Sequence, residues 1–174
     1  MNFSTTHKCL TRALVLALIA AAPLAAQEFR YGGQVSIANP TGDDSDIASM
    51  GFGAGLLGEM PFTDNFALRG RLQYMMFGNK NNVDVSSYSL MADGIYAFDN
   101  HDAGLFGIVS LGFANTSVKM SLPFFGSISS DSSGMVFGAG LGYNFNRNLG
   151  AEVKYLAGGD DNISYIQVSA TWRF

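Results

Sequence analysis

Eight charged side chains have the types and spacing to act on one another. Arg69 and Arg71 are two positions apart, as are Glu152 and Lys154, and each pair lies in an apolar segment. Side chains at such a spacing share one face of a β-strand. Charges gathered on one face either pair with each other or line a path for ions. We favour a paired network, with a narrow or gated ion path as the alternative, for Arg30, Glu59, Arg69, Arg71, Asp93, Glu152, Lys154 and Arg173.

The motifs that would indicate catalysis are weak in this chain. His101 lies in the hydrophilic stretch Asp99-Asn100-His101-Asp102, with no serine beside it to activate, and is interpreted as a surface histidine. Gly53, Gly55 and Gly58 have the spacing of a nucleotide-binding motif, but apolar alternation continues where that motif needs a helix. We expect Gly51, Gly53 and Gly55 in one strand, and Gly138, Gly140 and Gly142 in another, to face inward, where bulky neighbours from other strands fill the space. The sequence therefore predicts no enzyme and no cofactor.

Two acidic clusters are candidates for a metal ion. Asp43, Asp44 and Asp46 form one, and Asp160 and Asp161 form the other. Their carboxylates could share a calcium ion if the two segments meet, but they lack the spacing of an EF-hand loop. We favour solvated acidic loops and predict no metal site, with divalent cations bridging to lipid phosphates as the alternative.

The elements that must position these residues are β-strands, because apolar and polar residues alternate in segments of about ten residues. In the first segment, Phe29, Tyr31, Val35 and Ile37 oppose Arg30, Gln34 and Ser36. The pattern predicts eight antiparallel strands. They span residues 28–38, 50–60, 66–76, 87–98, 104–115, 134–145, 149–158 and 163–174.

The predicted connections differ in length at the two ends of the strands. Those at 39–49, 77–86 and 116–133 are long and that at 159–162 is shorter, whereas those at 61–65, 99–103 and 146–148 are tight.

All eight charged residues named above fall on the face opposite the apolar one, as expected if the apolar face meets lipid, where a charge costs several kcal/mol. The pattern predicts an up-and-down transmembrane β-barrel with a polar interior. Strand five is the least regular, because Phe106 and Ile108 share the inward face with Ser110, and a β-bulge there is an alternative.

Outward-facing aromatic residues collect at both strand ends, as at the two interfaces of a membrane. A soluble ligand-binding barrel has no reason to form two such girdles. One contains Phe29, Tyr31, Phe66, Tyr96, Phe98, Tyr143, Phe145, Trp172 and Phe174, and the other contains Phe52, Tyr74, Tyr88, Phe113, Phe137 and Tyr155.

The first 26 residues have the pattern of a secretory signal peptide. Lys8 and Arg12 precede an apolar run that is too short to span a membrane as a helix, and small residues follow it. We expect cleavage after Ala26 and one mature domain, 27–174. Without Lys8 and Arg12, the 10 basic residues of the chain become 8 against 14 acidic ones, which argues against nucleic acid as a partner.

The chain ends in Val168-x-Ala170-x-Trp172-x-Phe174, with an aromatic residue last. This resembles the terminal signal read by the barrel-assembly machinery. The mature chain is similar to the outer membrane β-barrel family, which includes the transmembrane domain of outer membrane protein A, outer membrane protein X and the opacity proteins. The resemblance implies a bacterial outer membrane protein in contact with lipid and lipopolysaccharide. It also implies periplasmic chaperones as partners during biogenesis.

The long segment 116–133 is the strongest candidate for contact with a surface ligand or a host protein. Phe124 and Phe125 lie between Pro123 and Gly126, and an exposed aromatic pair at a loop tip suits a binding surface. Val118, Met120 and Leu122 alternate with Lys119 and Ser121, which indicates a hairpin that extends above the membrane as a protruding edge. The alternative is a loop whose apolar residues fold back over the barrel mouth. The sequence thus favours a non-enzymatic structural or surface barrel, acting in adhesion or envelope integrity, over a porin-like channel.

Overall fold

The chain forms an eight-stranded closed antiparallel barrel, which confirms the predicted fold. The computed structural model describes residues 29–42, 45, 48–80, 83–122, 126–159 and 163–174. Among them, no helix is long and apolar enough to cross a membrane. The strands are β1 (Arg30–Pro40), β2 (Ser49–Pro61), β3 (Phe66–Lys80), β4 (Val83–Ala97), β5 (Gly104–Leu122), β6 (Gly126–Asn144), β7 (Leu149–Gly158) and β8 (Tyr165–Arg173).

Each strand pairs with its neighbours in sequence, and β1 pairs with β8 to close the sheet. The closing register runs from Gly32 opposite Arg173 to Pro40 opposite Tyr165. Closure gives the wall strands a hydrogen-bonding neighbour on both sides, which a sheet within lipid needs. We call the end that holds Arg30 and Arg173 the lower end, and the opposite end the upper end.

Strict alternation separates an inner from an outer face. In β8, Gln167 is fully buried while Ile166 is 44% exposed, and the pattern repeats to the end of the strand. Both predicted girdles lie on the outer face; Tyr74 and Tyr88, for example, have ring centroids 4.5 Å apart. Phe106 and Ile108 do point inward, and the register of β5 with β4 is continuous, so strand five has no bulge there.

The upper halves of β3 to β6 are longer than predicted. Most of the predicted connection 77–86 is strand, so that prediction is wrong, whereas 116–133 follows the interpretation of a hairpin that extends above the membrane. The pairing of β5 with β6 continues to Leu122 opposite Gly126, whereas β7 ends at Gly158 opposite Val136. Four strands therefore project above the other four, and we call this part the upper extension: residues 79–80, 83–86, 115–122 and 126–134.

The outer face inverts from apolar to polar at the base of the upper extension, above an interior whose upper layer is already apolar. Below it, outward Phe113 and Met135 are apolar and exposed. Above it, outward Lys119 and Asp131 are charged and exposed, whereas inward Val85 is buried. Apolar residues face outward only where lipid surrounds the wall, so the inversion marks the upper limit of the membrane-embedded wall.

The barrel interior is filled by layers of different polarity. The upper layer is apolar and includes the edge-to-face pair Phe77 and Tyr165, with ring centroids 5.5 Å apart. A smaller apolar cluster around Phe106 consists of residues from β3, β4 and β5 and lies nearer the lower end of the barrel. The remaining lower interior is polar. The upper layer contains Ala38, Ala48, Met75, Phe77, Val85, Met91, Ala114, Val136, Leu156, Ile163 and Tyr165.

Candidate functional site: the charged barrel interior

All eight predicted charged residues point into the barrel and are buried. Glu59, Arg69 and Asp93 are fully shielded from solvent. Their positions follow from alternation, since each lies an even number of residues from the other inward positions of its strand. The structure brings seven of the eight into one network and leaves Arg30 at the lower mouth.

Glu59 on β2 is the centre of the lower half of the network. Its Oε2 accepts a hydrogen bond from Arg69 Nε at 2.8 Å, and its Oε1 accepts one from Arg173 Nη1 at 3.1 Å. His101 Nε2 lies 2.8 Å from Oε1. This carboxylate thus connects β2 to β3, to β8 and to the turn between β4 and β5.

Glu152 on β7 bridges the two arginines of β3 from across the interior. Its Oε2 lies 2.9 Å from Arg69 Nη1, and its Oε1 lies 2.5 Å from Arg71 Nη1. Arg71 also donates to Asp93 Oδ2, from Nη2 at 2.6 Å. Lys154 Nζ lies 3.6 Å from Glu152 and 3.9 Å from Asp93. Buried charges need such partners, because an isolated charge in a poorly hydrated interior is costly.

An uncharged polar layer lies above the ion pairs. Gln34 donates to Gln73 Oε1 at 2.6 Å, and Gln167 Nε2 lies 3.0 Å from the same oxygen. Ser36 and Ser169 hydroxyls are 2.9 Å apart. Sequence reasoning did not assign these residues to the network, although their inward parity was visible, because it followed only the charges.

His101 is not a surface residue, so that interpretation is wrong. It is 6% exposed, and its backbone carbonyl accepts a hydrogen bond from Asn144 Nδ2 at 2.9 Å. The hydrophilic turn folds into the lower mouth, where the imidazole reaches the carboxylate of Glu59. Arg30 also holds this turn in the lower mouth, since its Nη2 lies 2.7 Å from Asp102 Oδ1. No sequence pattern indicated this, because the contact joins a turn to a strand 42 positions away.

The C-terminal signal residues all lie on the outer face of the closing strand. Val168, Ala170 and Trp172 alternate with buried residues, and the Phe174 N–H donates to the Tyr31 carbonyl at 2.8 Å. The rings of Tyr31 and Phe174 have centroids 6.0 Å apart. The assembly role remains a prediction.

Deleting Phe174 is expected to lower the yield of folded barrel severalfold in cells. The deletion removes the final aromatic side chain and a backbone bond to β1. The measurement is the fraction of outer-membrane protein with heat-modifiable migration, with Phe174→Tyr as the aromatic control. Equal yields for wild type and the deletion would contradict the assigned signal.

Several predicted contact residues lie outside the described residues. Phe124 and Phe125 are among them, as are Asp43, Asp44, Asp46, Asp160 and Asp161. Within the described parts, no group of three or more His, Cys, Asp or Glu residues is placed to hold a metal ion.

The fold and its interior define the class of protein: a membrane β-barrel whose lumen is occupied by its own side chains. The chain belongs to the family described as outer membrane protein beta-barrel domain, whose model matches residues 11–174. Members of this family are proteins of the bacterial outer membrane.

Solved structures support the same fold. The N-terminal β-barrel domain of Pseudomonas aeruginosa OprF is 20% identical, with a TM-score of 0.61 over 83% of this chain and 97% of that one. Ail of Yersinia pestis, in complex with the heparin analogue sucrose octasulfate, is 20% identical, with a TM-score of 0.56 over 84% and 96%. Neisserial surface protein A is 18% identical, with a TM-score of 0.53 over 83% and 95%. No match was found among curated protein sequences.

Proposed function

We propose that this protein is a non-enzymatic, closed surface barrel whose upper extension carries out recognition outside the cell. The observation that carries the proposal is the extension itself. Strands β3 to β6 continue beyond the membrane-embedded wall, with polar residues on their outer face. A barrel that only formed a wall in the membrane would not need four strands that extend beyond the other four.

The interior supports a closed barrel. An eight-stranded barrel is about wide enough for side chains to fill it. Here ion pairs occupy the lower lumen and an apolar layer covers them from above. The alternative of a narrow ion path would require both layers to separate.

Charge narrows the class of extracellular partner. The upper extension together with the loops 39–49 and 159–162 carries more acidic than basic residues, so a sulfated polyanion such as the one bound by Ail suits the upper end as a whole poorly. By sequence, these segments contain the acidic residues Asp43, Asp44, Asp46, Asp84, Asp131, Asp160 and Asp161 and the basic residues Lys80 and Lys119.

The proposal includes the route to the membrane. Residues 1–26 act as a secretory signal peptide, and residues 27–174 form the mature barrel. Periplasmic chaperones and the barrel-assembly machinery insert it beside lipid and lipopolysaccharide. Insertion and folding are coupled, because only the closed sheet satisfies its backbone hydrogen bonds in lipid.

The refolded protein is expected to show no single-channel conductance in a planar bilayer. The reason is that the polar and apolar layers of the described residues should leave no continuous water path through the lumen. Heat-modifiable migration on a gel first verifies that the barrel is closed. Discrete openings from such a sample would overturn the closed barrel in favour of a narrow channel, with Arg69, Arg71, Asp93 and Glu152 as the residues to vary next.

The recognition role is tested by shortening the upper extension. A variant with residues 117–133 replaced by a tight turn keeps the membrane-embedded wall. Bacteria that display it should lose most of their binding to host cells or matrix proteins. A variant with residues 42–47 replaced by a glycine-serine linker is the control and should keep that binding. Unchanged binding by the shortened variant would contradict the proposal.

A further inference from the structure

A groove lies on the outer face of the membrane-embedded wall, over strands β1, β2 and β3. Its volume is about 660 Å³. Tyr31 and Trp172 of the lower girdle line one end, and Tyr74 and Tyr88 of the upper girdle line the other. The outward side chains that line it are apolar or aromatic, and none of its described lining residues is charged. The groove is thus an apolar depression that faces lipid between the two interfaces.

Two small outward residues create the depression. Gly33 faces outward by alternation yet is buried, because the Trp172 indole lies over it: a Cβ at Gly33 would be 2.6 Å from Cζ2 of that ring. The indole therefore lies along the wall, and Trp172 is only 38% exposed, against 69% for Phe174. Ala54 pairs with Tyr74 on β3 and has only a methyl group to fill the space beside that ring. Small side chains between larger ones leave room for a ligand.

We infer that this groove binds one acyl chain of a zwitterionic phospholipid, with the headgroup at the lower end. A depression in a lipid-facing wall loses van der Waals contacts unless a chain fills it. Trp172 and Tyr31 carry an indole N–H and a hydroxyl, and residues of these types place their polar ends at the headgroups. The bound chain is contacted from its sides as well as from the wall beneath it. It is therefore held more tightly than lipid over the rest of the wall.

The absence of charge around the groove selects the class of lipid. Strongly anionic headgroups are bound by clusters of lysine and arginine. The described residues that line this groove include no such side chain, so the several phosphates of a lipopolysaccharide would lack partners here. A zwitterionic headgroup needs only hydrogen-bond donors at the interface.

The chain contains a single tryptophan, so its fluorescence reports on this groove alone. The full-length mature barrel is folded into vesicles of phosphatidylcholine with brominated acyl chains, which quench tryptophan on contact. The vesicles are then dispersed in excess detergent, which dilutes the lipid on the rest of the wall. Trp172 should remain quenched at least twofold relative to barrels from unbrominated vesicles, and native mass spectrometry should find one phospholipid per barrel. Complete recovery of the fluorescence on dispersal would overturn the inference.

Ala54→Phe fills the groove, and Ala139→Phe is its matched control. Both alanines are exposed on the outer face, and each pairs with a valine on one side and a tyrosine on the other. Only Ala54 lines the groove. Heat-modifiable migration first verifies that both variants fold. Ala54→Phe should lose the retained phospholipid and the residual quenching, whereas Ala139→Phe should keep both. Equal retention by the two variants would overturn the inference, because the lipid would then lie elsewhere.

Competition in the detergent solution identifies the lipid. Unbrominated phosphatidylcholine should restore Trp172 fluorescence, whereas purified lipopolysaccharide at the same concentration should not. Recovery with lipopolysaccharide would assign the groove to that lipid and overturn the phospholipid assignment. Recovery with neither lipid would show that no exchangeable chain occupies the groove.

Discussion

Glu59→Ala is expected to destabilise the barrel by about 3–5 kcal/mol, the usual cost of breaking a buried ion pair on one side. Glu59 is fully buried and contacts Arg69, Arg173 and His101. Removing its carboxylate leaves at least two guanidinium groups without that partner in a poorly hydrated interior. The measurement is the free energy of unfolding in urea, for protein folded into lipid vesicles.

Two further variants test whether the lost stability comes from breaking the buried ion pairs. Asp64→Ala removes a carboxylate from an exposed lower turn and should change the free energy of unfolding by no more than about 0.5 kcal/mol. The double variant Glu59→Met/Arg69→Met removes both charges of one pair and should recover part of the loss. A cost below about 1 kcal/mol for Glu59→Ala alone would show that water, and not the ion pairs, stabilises these charges.

Gly142→Leu should prevent efficient folding, because the site has no room for a side chain. Gly142 lies opposite Phe106 on β5, and a Cβ at this position would overlap the Phe106 ring. Overpacking a filled core typically costs about 1–3 kcal/mol. The Phe106 ring is buried among Ala67, Ile95, Ala97 and Ile108 and has little room to adjust. The measurement is the yield of heat-modifiable barrel after refolding, together with the urea midpoint.

The control for this substitution is Gly70→Leu on the outer face. Gly70 is exposed, and a Cβ there would come no closer than 4.0 Å to any other atom, so the leucine would extend into lipid at little cost. Adding Phe106→Ala to Gly142→Leu should restore much of the yield, since the two sites share one space. If Gly142→Leu folds as well as Gly70→Leu, the interior is not packed as described.

Inward glycines are a feature that sequence reasoning interpreted correctly. Gly51, Gly53 and Gly55 on β2 were expected to face bulky neighbours and not to bind a nucleotide. In the structure, Phe77, Met75 and Gln34 respectively occupy the space next to them. The result follows from alternation, because a small residue on an inward face leaves volume that a neighbouring strand can fill.

The upper extension shows where the same reasoning failed. Segments 77–86 and 116–133 were assigned as connections between wall strands, although the alternation from Val118 to Leu122 already indicated a hairpin that extends above the membrane. Alternation persists there with the faces exchanged: Val85 and Val118 are inward, and Lys119 is outward. A search for apolar residues that face outward and polar residues that face inward no longer recognises a strand above the membrane, because water and not lipid surrounds the sheet there.

The sequence by itself determined the number of strands, their order, the face of each residue and the girdles. Each of these depends on a period of two along the chain and on the cost of a charge in lipid. Only the tertiary structure decided which charges meet. Glu152 reaches Arg69 and Arg71 from four strands away, and His101 reaches Glu59 from a turn, because barrel closure and strand tilt bring distant positions to one height.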